Sequence, residues 1–205
     1  MHPLPDIVTH TYHPDPGPFR NLCALDDKDA EAVLARLRTE FGRCRSPLYL
    51  RQRRETEAWL RASAIAKGIP ASQTFPIYFF LGEYDDGRDP ARPAAITVPL
   101  SAFPVETVTF TYRDSMDCVD APAPYDRVFT LPEMEEFIAE VGMPCDGPVS
   151  DPIKLHRRAF VEMQLWDDAP LAAQFPTGLK SSRTSNAALP ANQRERINRA
   201  SGRHL

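Results

Sequence analysis

Apolar and polar positions along this chain repeat with two different periods, and the switches between them mark its elements. Residues 7–12, Ile-Val-Thr-His-Thr-Tyr, combine β-branched and aromatic side chains and run into Pro14-Asp15-Pro16-Gly17-Pro18, which predicts a first strand ended by a turn. Ala30, Val33, Leu34, Leu37 and Phe41 then recur at helical spacing, with Asp26 or Asp27 to cap them and Gly42 to close a first helix. Ser46-Pro47 offers a cap followed by proline at the first helical position, and Gly68 supplies a stop, so a second helix of about twenty residues is expected between them. On it Arg51, Arg53, Arg54, Glu55 and Glu57 are expected to form a solvated face, while Leu48, Trp59, Leu60 and Ile65 supply apolar contacts.

Beyond Gly68 the pattern becomes extended. Residues 75–81, 95–100 and 105–112 are predicted strands; in the last, Val108, Phe110 and Tyr112 alternate with Thr107, Thr109 and Thr111, as expected of a strand with one buried face. Residues 113–125 are a predicted proline-bearing loop. Thr130-Leu131-Pro132-Glu133 fits a capping box and opens a third helix through Met134, Phe137, Ile138 and Val141 to Gly142. Residues 160–166, Phe-Val-Glu-Met-Gln-Leu-Trp, are the last predicted strand. Helices first, then strands, one helix and a final strand predict an α+β fold rather than alternating βαβ units. Periodicity is lost after Pro176, which divides the chain into a single domain, 1–176, and a flexible tail, 177–205.

Composition refines this picture. With 205 residues, 42% hydrophobic and 25% charged, one core is the expectation, and 21 prolines favour short elements with shaped loops. The net charge of −4 hides an asymmetry: residues 178–205 carry six Lys/Arg against the single acid Glu195, so a basic tail of +5 follows a body of −9. Such a tail can touch nucleic acid, fold back on its own acidic domain or simply stay solvated. No apolar run reaches the roughly 18 residues of a membrane span, and Met1-His2-Pro3-Leu4-Pro5-Asp6 has neither the basic nor the apolar region of a leader. The expected setting is cytoplasmic, with no membrane partner. Cys23, Cys44, Cys118 and Cys145 are scattered without paired spacing, as reduced thiols would be.

The common nucleotide, zincin and nucleophile-elbow motifs are absent. His10 and His13 with Asp15 lack a second cluster to complete four-coordination, so no metal is expected. Ser115 has no glycine frame and reads as a loop serine bonding nearby backbone. Glu162 is more informative. Alternation puts Phe160, Glu162, Gln164 and Trp166 on one strand face and Val161, Met163 and Leu165 on the other; the apolar set belongs in the core, and Glu162 with Gln164 points either to solvent or into a cleft.

Tyr12-His13, Asn21-Leu22, Tyr78-Phe79, Phe110-Thr111 and the run Lys154-Leu155-His156-Arg157-Arg158-Ala159-Phe160-Val161-Glu162 resemble, in order and layout, the mono-ADP-ribosyltransferases, with the DarT-type DNA-modifying toxins the nearest in pattern. The resemblance implies a central, mostly antiparallel split sheet with flanking helices, and NAD as the substrate from which ADP-ribose passes to a macromolecular target, nucleic acid or protein. It also implies roles: His13 and Tyr78 hold the ribose and nicotinamide, Gln164 lies beside NAD, and Glu162 is the catalytic carboxylate. In family members with an E-x-E or Q-x-E pair the second position is the catalytic one; if that slot is Gln164 here, the protein is a non-catalytic protein-binding domain. A third alternative is a nucleic-acid-binding protein using the second helix's arginines and the tail.

Overall fold

A computed structural model describes residues 2–84, 89–144 and 160–175. Its centre is a five-stranded sheet whose neighbours are all antiparallel, in the order β3-β1-β2-β5-β4: β1 is Ile7–Tyr12, β2 Ile77–Leu81, β3 Ala94–Pro99, β4 Val108–Thr111 and β5 Glu162–Leu165. Among the described residues five α-helices accompany it: α1 (Asp27–Phe41), α2 (Tyr49–Ala66), α3 (Ser115–Cys118), α4 (Leu131–Val141) and α5 (Ala169–Gln174). The α+β expectation is met, with the sheet antiparallel throughout. The expected tail, 177–205, and the run 154–159 lie outside the described residues, as does Cys145; Cys23, Cys44 and Cys118 are free thiols. Among the described residues no helix is long and apolar enough to cross a membrane.

Local chemistry accounts for the helix ends. The Asp26 carboxylate accepts from the Asp29 N–H at 2.8 Å to start α1, and Gly42, at φ 63°, closes it in the left-handed region that glycine enters at no steric cost. At α4 the Glu133 carboxylate accepts from the Thr130 N–H at 2.7 Å, the reciprocal half of the expected capping box. The second helix starts later than expected. Ser46 Oγ accepts from the Leu48 N–H at 3.1 Å and so caps a turn, while α2 begins at Tyr49 without a side-chain cap. Residues 105–107 likewise form a 3-10 turn rather than the start of β4, α3 lies within the predicted loop 113–125, and α5 follows β5, beyond the last predicted strand.

The sheet has two unlike faces. Val8, Ile96, Phe79, Met163 and Phe110 lie on one, where Met134, Phe137 and Ile138 of α4 complete the main core. Cross-strand register puts Tyr78 and Thr109 beside Gln164, and Phe80 and Thr111 beside Glu162, on the other. That face is not solvent-facing, as the alternation of β4 suggested: Thr109 and Thr111 are fully buried, and a second cluster of Leu60 and Ala64 from α2 with Val128 and Trp166 lies over part of it. Between β1 and β2 the paired register is short, Val8 with Leu81 and Thr9 with Phe80. Past that point the His10 ring enters, its Nε2 accepting from the Phe19 N–H at 2.9 Å and its Nδ1 bonding the Tyr78 carbonyl at 2.8 Å. Sheet and helix α2 thus leave room at the end where the two strands part.

Candidate functional site

A cavity of about 630 Å³ opens there, with walls from β1, β2, β5, α2, α3 and the segments around Asn21, Arg43 and Arg92. Its central group is Glu162, 6% exposed. A chain of hydrogen bonds holds it. Trp166 Nε1 donates to Thr109 Oγ1 at 2.8 Å, Thr109 Oγ1 to Gln164 Oε1 at 3.0 Å, and Gln164 Nε2 to Glu162 Oε1 at 3.2 Å, with a second Gln164 bond to Thr111 Oγ1 at 3.2 Å. Each donor is itself polarised by the bond before it, so the chain orients the carboxylate. Of the two orientations the strand pattern left open for Glu162 and Gln164, the structure takes the cleft. Gln164 sits wholly beneath the cavity and supports Glu162 from behind.

Burial pushes the Glu162 carboxyl up to about 7, and Asp114 adds to the rise; Arg53 and the Ser115 and Gln164 side chains offset only part of it. Arg53 reaches in from α2. Burial works against its charge, but Tyr78, Glu162 and Glu57 outweigh that and raise it well above the usual arginine range. Its guanidinium lies 4.2 Å from the centre of the Tyr78 ring, and its Nε donates to Glu57 Oε1 at 3.0 Å. Asn21 Nδ2 donates to both Glu57 oxygens, at 3.2 and 3.1 Å, and to the Pro76 carbonyl at 2.8 Å, tying the first loop to α2 and β2.

Arginines furnish much of the remaining wall. The buried Asp89 carboxylate meets Arg43 at 2.6 Å and Arg92 at 3.0 Å, fixing two guanidinium groups at the cavity, and Arg20 and Arg45 stand at its exposed edge. Aromatic rings make the other wall: Phe80 stacks on Tyr84 at 3.8 Å, and Phe160 meets Phe80 edge-on at 4.8 Å. Two cavity-lining hydroxyls, Thr11 Oγ1 and Tyr78 OH, are buried and make no hydrogen bond among the described residues; the Tyr78 hydroxyl approaches Glu57, as Ser115 approaches Glu162, without reaching hydrogen-bond geometry. Orphaned buried hydroxyls are rare, and a ligand atom is one partner that completes their bonding.

Glu162 and Tyr78 therefore share one cavity, with Gln164 behind Glu162. His13 does not line it. Its ring lies against Phe41 at 5.7 Å and its Nδ1 accepts from the Asp15 N–H at 3.1 Å. The histidine at the cavity is His10, three residues earlier, and burial pushes its imidazole down to about 4. It is neutral, with both nitrogens committed to backbone. Arg53 and Glu57, expected on a solvated face, are the other correction: their side chains are 15% and 1% exposed. Leu48, just before that helix, and Ile65 on it, both expected to supply apolar contacts, are instead exposed. The Asp89 clamp and Asp114 carried no signal in the sequence, since a lone acid in a loop has no period. Among the described residues no group of three or more His, Cys, Asp or Glu is placed to hold a metal ion. Comparison with protein-family models, with curated proteins and with solved structures yields no match for this chain.

Proposed function

We propose that this cavity binds NAD and transfers ADP-ribose from it to a macromolecular acceptor, nucleic acid or protein. The observation that carries the reading is Glu162, a buried carboxylate at the end of a hydrogen-bond chain, facing a cavity that several guanidinium groups and aromatic rings also line. A dinucleotide asks for those surfaces: cations for its two phosphates, flat rings for its bases, and a volume of about 300–1,000 Å³. When the bond from ribose C1′ to nicotinamide breaks, its electron pair stays on the nicotinamide nitrogen and positive charge develops on the ribose. A fixed carboxylate aimed at that charge is the counterpart of an oxyanion hole. In this reading Glu162 is the catalytic group, Gln164 positions it, Arg53 and Tyr78 form the wall beside the ribose, and the Asp89-held arginines meet the phosphates. His10, rather than His13, keeps the β1 side of the cavity in place.

Nicotinamide release from NAD tests this directly. Glu162→Gln keeps shape and the bond from Gln164 but removes the charge, and is expected to lower the rate by about 10²-fold or more. Only the ionised carboxylate serves, so the wild-type rate should climb as pH rises towards about 7 and level off above it. A raised melting temperature with NAD but no nicotinamide release would make the protein a non-catalytic binding domain; neither effect would remove NAD from the picture.

A further inference from the structure

The cavity holds a second carboxylate to which the cleavage step assigns no task. Asp114 caps α3, its Oδ1 accepting from the Met116 N–H at 3.0 Å, which fixes the side chain and leaves Oδ2 outside that bond. Asp114 and Glu162 come from different elements yet line the same cavity, and after burial itself Asp114 is the strongest influence holding the Glu162 carboxyl high. A third observation points to a ligand here: Thr11, 7% exposed, lines the cavity with a hydroxyl that has no partner among the described residues.

Transfer to a hydroxyl needs two things of its carboxylates that one group cannot supply together. Glu162 must stay negative while C1′ becomes cationic, and a carboxylate that took up the acceptor's proton would lose its charge at that moment. Resting on the transferase reading above, we infer that Asp114 is the general base for the acceptor hydroxyl. The acceptor oxygen forms its bond to C1′, the C1′ bond to nicotinamide breaks with its pair remaining on the ring nitrogen, and the hydroxyl proton passes to Asp114 Oδ2. Asp117, one turn further on α3, is exposed, whereas Asp114 is half-buried and held by its capping bond.

Asn at position 114 preserves the cap while removing the base. Wild type, Asp114→Asn and Glu162→Gln are compared for nicotinamide release from NAD with water as acceptor, with and without sodium azide, an anionic nucleophile that has no proton to lose. Asp114→Asn is expected to be about 10²-fold slower in water, with KM for NAD unchanged to within about threefold. Azide should restore nicotinamide release to Asp114→Asn, with ADP-ribosyl azide detected by mass spectrometry, and should not restore it to Glu162→Gln. An Asp114→Asn protein as fast as wild type in water, or one whose loss azide does not repair, overturns the assignment and leaves the transferase reading standing. Wild-type protein that releases no nicotinamide overturns both.

Discussion

On one face of the sheet Val8, Phe79, Phe110 and Met163 share a core with the apolar side of α4; on the other, positions just as buried hold Thr109, Thr111, Glu162 and Gln164. The same strands build both faces, so backbone pairing does not distinguish them. The first face gains from removing hydrocarbon from water, roughly 25 cal/mol per Å². The second only recovers, bond by bond, what dehydrating polar groups costs, and two of its cavity hydroxyls find no partner among the described residues. A protein that accepts this on one face while filling the other with apolar side chains is spending stability where a ligand would bind.

Substitutions on the two faces should differ in sign as well as size. Phe110→Ala, on the apolar face, should cost the most, about 3–5 kcal/mol by denaturant titration. Arg53→Met leaves Glu57 buried without its cation and should cost about 3 kcal/mol. It should also move the rise of nicotinamide release to higher pH, since Arg53 holds the Glu162 carboxyl down while burial and Asp114 raise it. Glu162→Gln should stabilise. The folded carboxyl is raised from its ordinary 4.5 to about 7, so the folded state binds the proton more tightly; its contribution is fullest below 4.5 and is lost as pH rises towards 7. The variant, free of that loss, should exceed wild type by about 1–3 kcal/mol at pH 8, with the gap closing by pH 4.5. The smallest effect belongs to Lys67→Ala, which removes a partly exposed pair to Glu133 between the end of α2 and α4 and should change stability by less than about 1 kcal/mol. A gap of the wrong sign for Glu162→Gln, or a Phe110→Ala cost no larger than that of Lys67→Ala, would break the distinction between the faces.

How much of this was legible along the chain depended on whether the signal was local. The Asp26 cap, the Gly42 stop and the Thr130–Glu133 box act within a few residues, and α1 and α4 form where they indicate. The strand period of 160–166 assigned Glu162 and Gln164 to one face, because side chains two apart must share it. Whether that face met solvent or a cleft depended on what lay above it. Helix α2 makes the point with two ion pairs of the same spacing. Arg51–Glu55 is 68% and 67% exposed, whereas Arg53–Glu57, two residues on, is 15% and 1% exposed. Their sequence patterns are alike; only the sheet beneath α2 separates them. His10 and His13 present the same problem, since both belong to the first strand region and only the parting of β1 from β2 decides which reaches the cavity.

That parting has a consequence for motion. Because β1 and β2 share only a short register, the sheet has a seam, with β3-β1 on one side and β2-β5-β4 on the other, bridged by Gly82 N–H to the Ile7 carbonyl at 2.8 Å, Thr9 Oγ1 to the Gly82 carbonyl at 2.7 Å, and His10. Amide hydrogen exchange is expected to follow this seam, the two sides opening as separate cooperative units with Phe19 N–H, which donates to the His10 ring lying in the seam, among the first to exchange. A ligand touching Thr11 on one side and Tyr78 and Glu162 on the other would fasten the seam, and the protection it adds would appear on both sides at once.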